Sequence, residues 1–93
     1  MKTMSKHLAE QAARAMKKRR IALNMKQTEA AARSGVALGT LQKFERTGNI
    51  SLERFFRLCH IYKMESQITA AFEQRDSWTL EQIKRADSKR IVR

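Results

Sequence analysis

Side chains able to transfer a proton, attack carbon or hold a metal are few and scattered: two histidines, one cysteine and nine Asp+Glu carboxylates in 93 residues. No Cys/His set has metal-ligand spacing, no Ser/His/Asp grouping is visible, and no carboxylates pair on a pocket-forming face. Neither a catalytic centre nor a metal or cofactor is therefore expected. His7 and His60 read as surface residues and Cys59 as core. What the chain offers instead is cationic and amide chemistry. Twenty Lys+Arg give a net charge of +11, which suits a polyanionic partner, nucleic acid ahead of an anionic membrane surface. The field is uneven. Residues 1–26 carry Lys2, Lys6, Arg14, Lys17, Lys18, Arg19, Arg20 and Lys26 against Glu10 alone.

The elements that must position these groups are helical. The length permits one small domain, and 42% hydrophobic residues suffice for a core. Proline is absent and there are only three glycines, Gly35, Gly39 and Gly48, which predicts an all-α fold. No run approaches a membrane span, and the N-terminus lacks a signal-peptide hydrophobic stretch, so a cytoplasmic protein without membrane contact is expected. Periodicity places a first helix over about Ser5 to Leu23. Ala9, Ala12, Ala13, Met16, Arg20 and Leu23 share its inner face, and Asn24 is its left-handed stop. Arg20 on that face needs a specific carboxylate. A second helix, about Gln27 to Ser34, closes at Gly35, with small Ala30 and Ala31 inward.

A third helix, about Leu38 to Arg46, turns Leu38, Leu41, Phe44 and Glu45 to one side and Gly39, Gln42, Lys43 and Arg46 to the other. Glu45 is the natural partner of Arg20. Thr47-Gly48-Asn49 is a turn. Ser51 reads as N-cap of a fourth helix, with Ile50 and Phe55 at staple positions and Leu52, Phe55, Phe56, Cys59 and Tyr62 on one face. Ser66 is expected to cap a fifth, carrying Ile68, Ala71 and Phe72. Residues 1–75 thus form the domain and 76–93 a basic tail. In the tail, Thr79-Leu80-Glu81-Gln82 is a capping-box pattern flanked by Trp78 and Ile83, which permits a short helix over about 80–90.

Residues 27–46 meet the requirements of a helix-turn-helix: Gly35 for a tight turn, Ala31 for close crossing, Leu41 and Phe44 as inward anchors, and a free opposite side. They resemble the lambda-repressor-like, Cro/C1-type (Xre) regulators. The resemblance rests on Arg20-Ile-Ala-Leu-Asn-Met-Lys-Gln27, Ala31, Ser34-Gly35-Val36, Thr40-Leu41, Phe44-Glu45-Arg46 and Gly48-Asn-Ile-Ser-Leu52. It covers Met16 to about Phe72 and implies a five-helix domain that binds a double-stranded DNA operator as a homodimer. It also implies a structural ion pair at Arg20 and Glu45, which the periodicity reaches separately.

The stretch from Gly39 to Leu52 is more narrowly similar to HipB-like antitoxins, which repress their own operon and complex a HipA-like kinase toxin. The implied function is a sequence-specific DNA-binding transcriptional repressor, the autoregulating antitoxin of a HipBA-type operon, in the cytoplasm and associated with the nucleoid. The alternatives are a module whose main task is neutralising a toxin, or a free-standing phage-type repressor. By the resemblance, Leu38, Gly39, Gln42 and Lys43 meet base edges, and Thr40 meets a base or the backbone. Gln27 bonds a phosphate and braces the recognition helix, while Arg46, Thr47, Asn49 and Arg19 grip phosphates. Lys26 and Ala37 depart from the family, standing where it has a Ser or Thr cap. Dimer contacts are expected from Ile68, Phe72 and the following segment; Trp78 either staples a tail helix or anchors a partner.

Overall fold

A computed structural model describes residues 3–73. The expected tail helix, its capping box and Trp78 lie outside the described residues. Five helices follow one another: α1 (Met4–Ala22), α2 (Gln27–Ser34), α3 (Leu38–Thr47), α4 (Leu52–Ile61) and α5 (Glu65–Phe72), with no strand among the described residues.

Each boundary has a local cause. Thr3 caps α1, its hydroxyl accepting from the Lys6 N–H at 3.2 Å, and Ser51 caps α4 in the same way from Arg54 at 3.3 Å. α1 stops because Asn24 turns left-handed at φ 59°. The Asn24 and Met25 amides then close back on the Ile21 and Arg20 carbonyls, a Schellman ending. α4 stops identically at Lys63, φ 61°, with the Lys63 and Met64 amides on the His60 and Cys59 carbonyls. That ending displaces the expected cap of α5. Ser66 lies inside the helix, whose half-turn residue is Met64, without a side-chain cap.

The core gathers Ala13, Met16, Met25, Ala30, Ala31, Val36, Leu41, Phe44, Leu58, Cys59 and Tyr62. The inner face of α4 is Leu58, Cys59 and Tyr62, with Phe55 and Phe56 half-buried. Leu52, expected among them, is 66% exposed, since it opens the helix beyond the reach of the neighbouring elements. α1 packs on α3, α2 packs on both α3 and α4, and α5 leans on α4. The alanines of α2 let it sit tightly in that middle position, and Phe44 meets Phe55 edge-on at 5.9 Å.

Gly48, which ends α3 at φ 84°, is required twice over. A Cβ there would stand 2.8 Å from the Ala9 carbonyl carbon and oxygen and 2.9 Å from the Glu10 nitrogen. The turn after α3 therefore rests on the bare backbone of α1. Gly48→Ala should cost about 2–4 kcal/mol in chemical denaturation, combining left-handed strain with an unrelievable backbone contact. Gly39→Ala, where an added Cβ meets nothing within 4 Å, should leave stability unchanged or slightly raised.

Candidate nucleic-acid interface

Two helices joined by a three-residue turn, Gly35-Val36-Ala37, present one face to solvent. Gly35 makes the corner at φ 75°, and its N–H bonds the Ala31 carbonyl at 3.0 Å. Val36, Leu41 and Phe44 pin the pair to the core. On the outer side of α3, Gly39, Gln42, Lys43 and Arg46 are all exposed. Leu38 and Thr40, expected beside them, are half-buried, and Leu38 packs against the core.

What fixes the roll of α3 is a buried ion pair. The Arg20 Nε and Nη2 donate to the Glu45 Oε2 and Oε1 at 2.8 and 3.1 Å, with side chains only 10% and 5% exposed. Arg20 Nη1 donates to the Met25 carbonyl at 2.8 Å, so one guanidinium joins α1, the α1–α2 loop and α3. The hydrogen bond to Glu45 raises the Arg20 pKa further above its ordinary value, against the opposing effect of burial.

Gln27 completes the arrangement in a way its sequence position did not reveal. Its Nε2 donates to Glu45 Oε1 at 2.9 Å, and its Oε1 accepts from Gln42 Nε2 at 3.5 Å. The brace expected of Gln27 is thus a bridge from the ion pair to the outward face of α3. Tyr62 lies behind the pair, fully buried, and its hydroxyl has no hydrogen-bond partner among the described residues. Burial, and after it the Glu45 charge, pushes the phenol up to about 12, the Arg20 charge acting the other way.

The phosphate-gripping expectations fare unevenly. Arg46 is exposed at the end of α3. Thr47 Oγ1 donates to the Lys43 carbonyl at 2.7 Å and accepts from the Asn49 N–H at 3.1 Å, so this hydroxyl shapes the turn and leaves the Asn49 side chain at the surface. Arg19 is corrected. Its Nε donates to the Tyr62 carbonyl at 2.9 Å and its Nη2 reaches the Lys63 carbonyl at 3.5 Å. The negative end of α4 has drawn in the nearest guanidinium. Neither Lys26 nor Ala37 makes a side-chain cap, so the first-turn amides of α2 and α3 are left for solvent or an anion.

On the far side, Phe72 is 74% exposed and meets Phe56 edge-on at 6.1 Å. Together with Cys59, Glu65, Ile68 and Thr69 they line an open, largely apolar groove between α4 and α5.

A helix-turn-helix braced from behind and polar in front, within five helices, defines a lambda-repressor-like DNA-binding domain. The family model described as helix-turn-helix matches residues 16–67, and the chain belongs to that Cro/C1-type family of DNA-binding regulators. No curated protein and no solved structure is significantly similar to the chain. Among the described residues no helix is long and apolar enough to cross a membrane.

Two outcomes are expected from this geometry. Glu45→Ala should lose roughly 3–5 kcal/mol in a denaturation experiment, because Arg20 is left buried without its carboxylate. Tyr62→Phe should be neutral or slightly stabilising at pH 7, as it deletes an unsatisfied hydroxyl. The variant should also differ in alkali. The folded phenol titrates near 12 and the unfolded one near 10, so the stability linked to its proton is complete below pH 10 and is lost as pH rises through 12. Over that window the parent should lose roughly 2 kcal/mol more than Tyr62→Phe.

Proposed function

We propose that the chain is a sequence-specific, double-stranded-DNA-binding transcriptional repressor that sits on its operator as a homodimer, in the cytoplasm and associated with the nucleoid. The observation that carries this reading is the outward row Gly39, Gln42, Lys43 and Arg46, exposed on a helix whose roll is locked by Glu45. In the major groove, Gln42 and Lys43 supply hydrogen bonds to base edges, while Gly39 allows close approach. Leu38 and Thr40, at the half-buried margin, offer apolar contact with thymine methyls and a hydroxyl respectively. With so few polar readers, backbone contacts carry much of the affinity and discrimination is moderate.

Phosphates are met by Arg46, Asn49 and the uncapped start of α2 at Gln27, whose side chain is occupied with Glu45 and Gln42. Thr47 serves by holding the Asn49 turn. The apolar groove with Ile68 and Phe72 is the dimer surface, Trp78 from the tail adding to it. Two copies joined there place their α3 helices about one duplex turn, roughly 34 Å, apart.

The narrower reading, an autoregulating antitoxin that also binds a HipA-like kinase toxin, rests on the likeness of residues 39–52 to HipB-like antitoxins. Co-purification with a kinase-like protein encoded beside it supports this; a solitary gene removes it and leaves the repressor reading intact.

The test is selection of duplexes from a randomised library, followed by binding measurements on the recovered sequence. Gln42→Ala and Lys43→Ala should each reduce discrimination by about 1–3 kcal/mol for every hydrogen bond to a base that the substitution removes, with melting temperature nearly unchanged. Identical preference in parent and variants would show that α3 does not read bases.

A further inference from the structure

α1 begins well before the helix-turn-helix match, which starts at residue 16. Its early part is not a loose appendage. The Gly48 backbone packs directly on Ala9 and Glu10, which ties the first turns of α1 to the turn after α3. Between the two lies an open cleft lined by Ser5, Lys6, Ala9, Thr47, Gly48 and Asn49. Among the described residues no carboxylate lines it.

Its free donors are the Lys6 ammonium and the Asn49 amide. Neither side chain has a hydrogen bond or ion pair among the described residues. The Ser5 and Thr47 hydroxyls are engaged with Thr3 and with the turn. Lys6 also runs against local helix preference. The first turn of a helix favours acids, α1 has none there, and Lys6 occupies that turn instead. A cation held at a local cost, beside an unengaged amide in a cleft that no carboxylate of the described residues lines, is suited to an anion with several acceptor oxygens.

We infer that this cleft seats a phosphate of the DNA backbone, Lys6 supplying the charge and Asn49 an amide N–H. The protein's footprint then extends from α3, around the Gly48 turn, onto the N-terminal half of α1. One ammonium and one amide are too few to hold free phosphate in water. On a duplex the same pair adds an increment to binding already supported elsewhere, by releasing one condensed counterion. The inference rests on the DNA-binding reading and adds to it a contact from outside the helix-turn-helix.

The experiment measures affinity for the selected duplex by fluorescence anisotropy across a range of KCl concentrations, in the parent, Lys6→Gln, Asn49→Ala, Lys18→Gln and Arg46→Gln. Lys6→Gln should lower the magnitude of the slope of log K against log salt by about one, with sequence preference and melting temperature unchanged. Asn49→Ala should weaken binding with the slope preserved. Lys18→Gln, the same loss of charge elsewhere on α1, should leave the slope as in the parent. An unaltered slope in Lys6→Gln, while Arg46→Gln reduces it, would overturn the seat and leave the DNA reading standing. An equal reduction in Lys18→Gln would show that only net charge matters and would overturn it too. A parent that binds no duplex at low salt would remove the DNA reading and this inference together.

Discussion

The guanidinium of Arg20 cannot lie in a face of alanine and methionine without a carboxylate to meet it, and Glu45 is that carboxylate. The pair is costly to desolvate and costlier to break, so its value is positional. Two parallel hydrogen bonds allow one approach of α3 to α1, and the third bond, to the Met25 carbonyl, fixes where the chain enters α2. Gln27 then bonds the same carboxylate from the start of α2. Three helices are thereby registered at a single point, and the outer side of α3 is set by what its inner side must satisfy.

A second constraint is backbone against backbone. Gly48 ends α3 and lies on the Ala9–Glu10 peptide, so the C-terminal end of α3 is held to α1 twice, by charge at Glu45 and by close approach at the turn. The helix ends differ in how they are closed. α1 and α4, which frame the domain, carry side-chain caps from Thr3 and Ser51. α2 and α3, which form the motif, carry none, and neither does α5. The packing of Leu41, Phe44, Ala30 and Ala31 sustains the two motif helices in place of caps.

Much of this was legible in the residues. Gly35, Asn24 and the turn at Gly48 follow from local backbone preference. The meeting of Arg20 and Glu45 follows from two periodicities that each leave a charge on an apolar face. What escaped depends on where elements lie relative to one another. Leu52 and Leu58 are both large and apolar, and only the packing of α4 shows that the first projects past its neighbours while the second is enclosed. Arg19 looked like one more cation of the basic first helix, yet the carbonyl end of α4, more than forty residues later, claims it. Ser66 had the right chemistry for a cap but followed a left-handed Lys63, which started α5 earlier. The third bond of Glu45, to Gln27, crosses between helices that no local pattern relates. Of the interface, the outward row of α3 was readable from period alone; the bridge behind it was not.

The Gln27 bridge has a consequence for how such a surface changes over generations. Because α3 is oriented from its rear by Glu45, the identities of the residues at 39, 42, 43 and 46 are nearly uncoupled from folding. Substitutions there can accumulate and be sorted for what they touch without first having to be rescued for stability. Position 42 is the partial exception, since its amide leans on Gln27. A lineage of such chains would diversify fastest at 39, 43 and 46, and would drift together at 27 and 42.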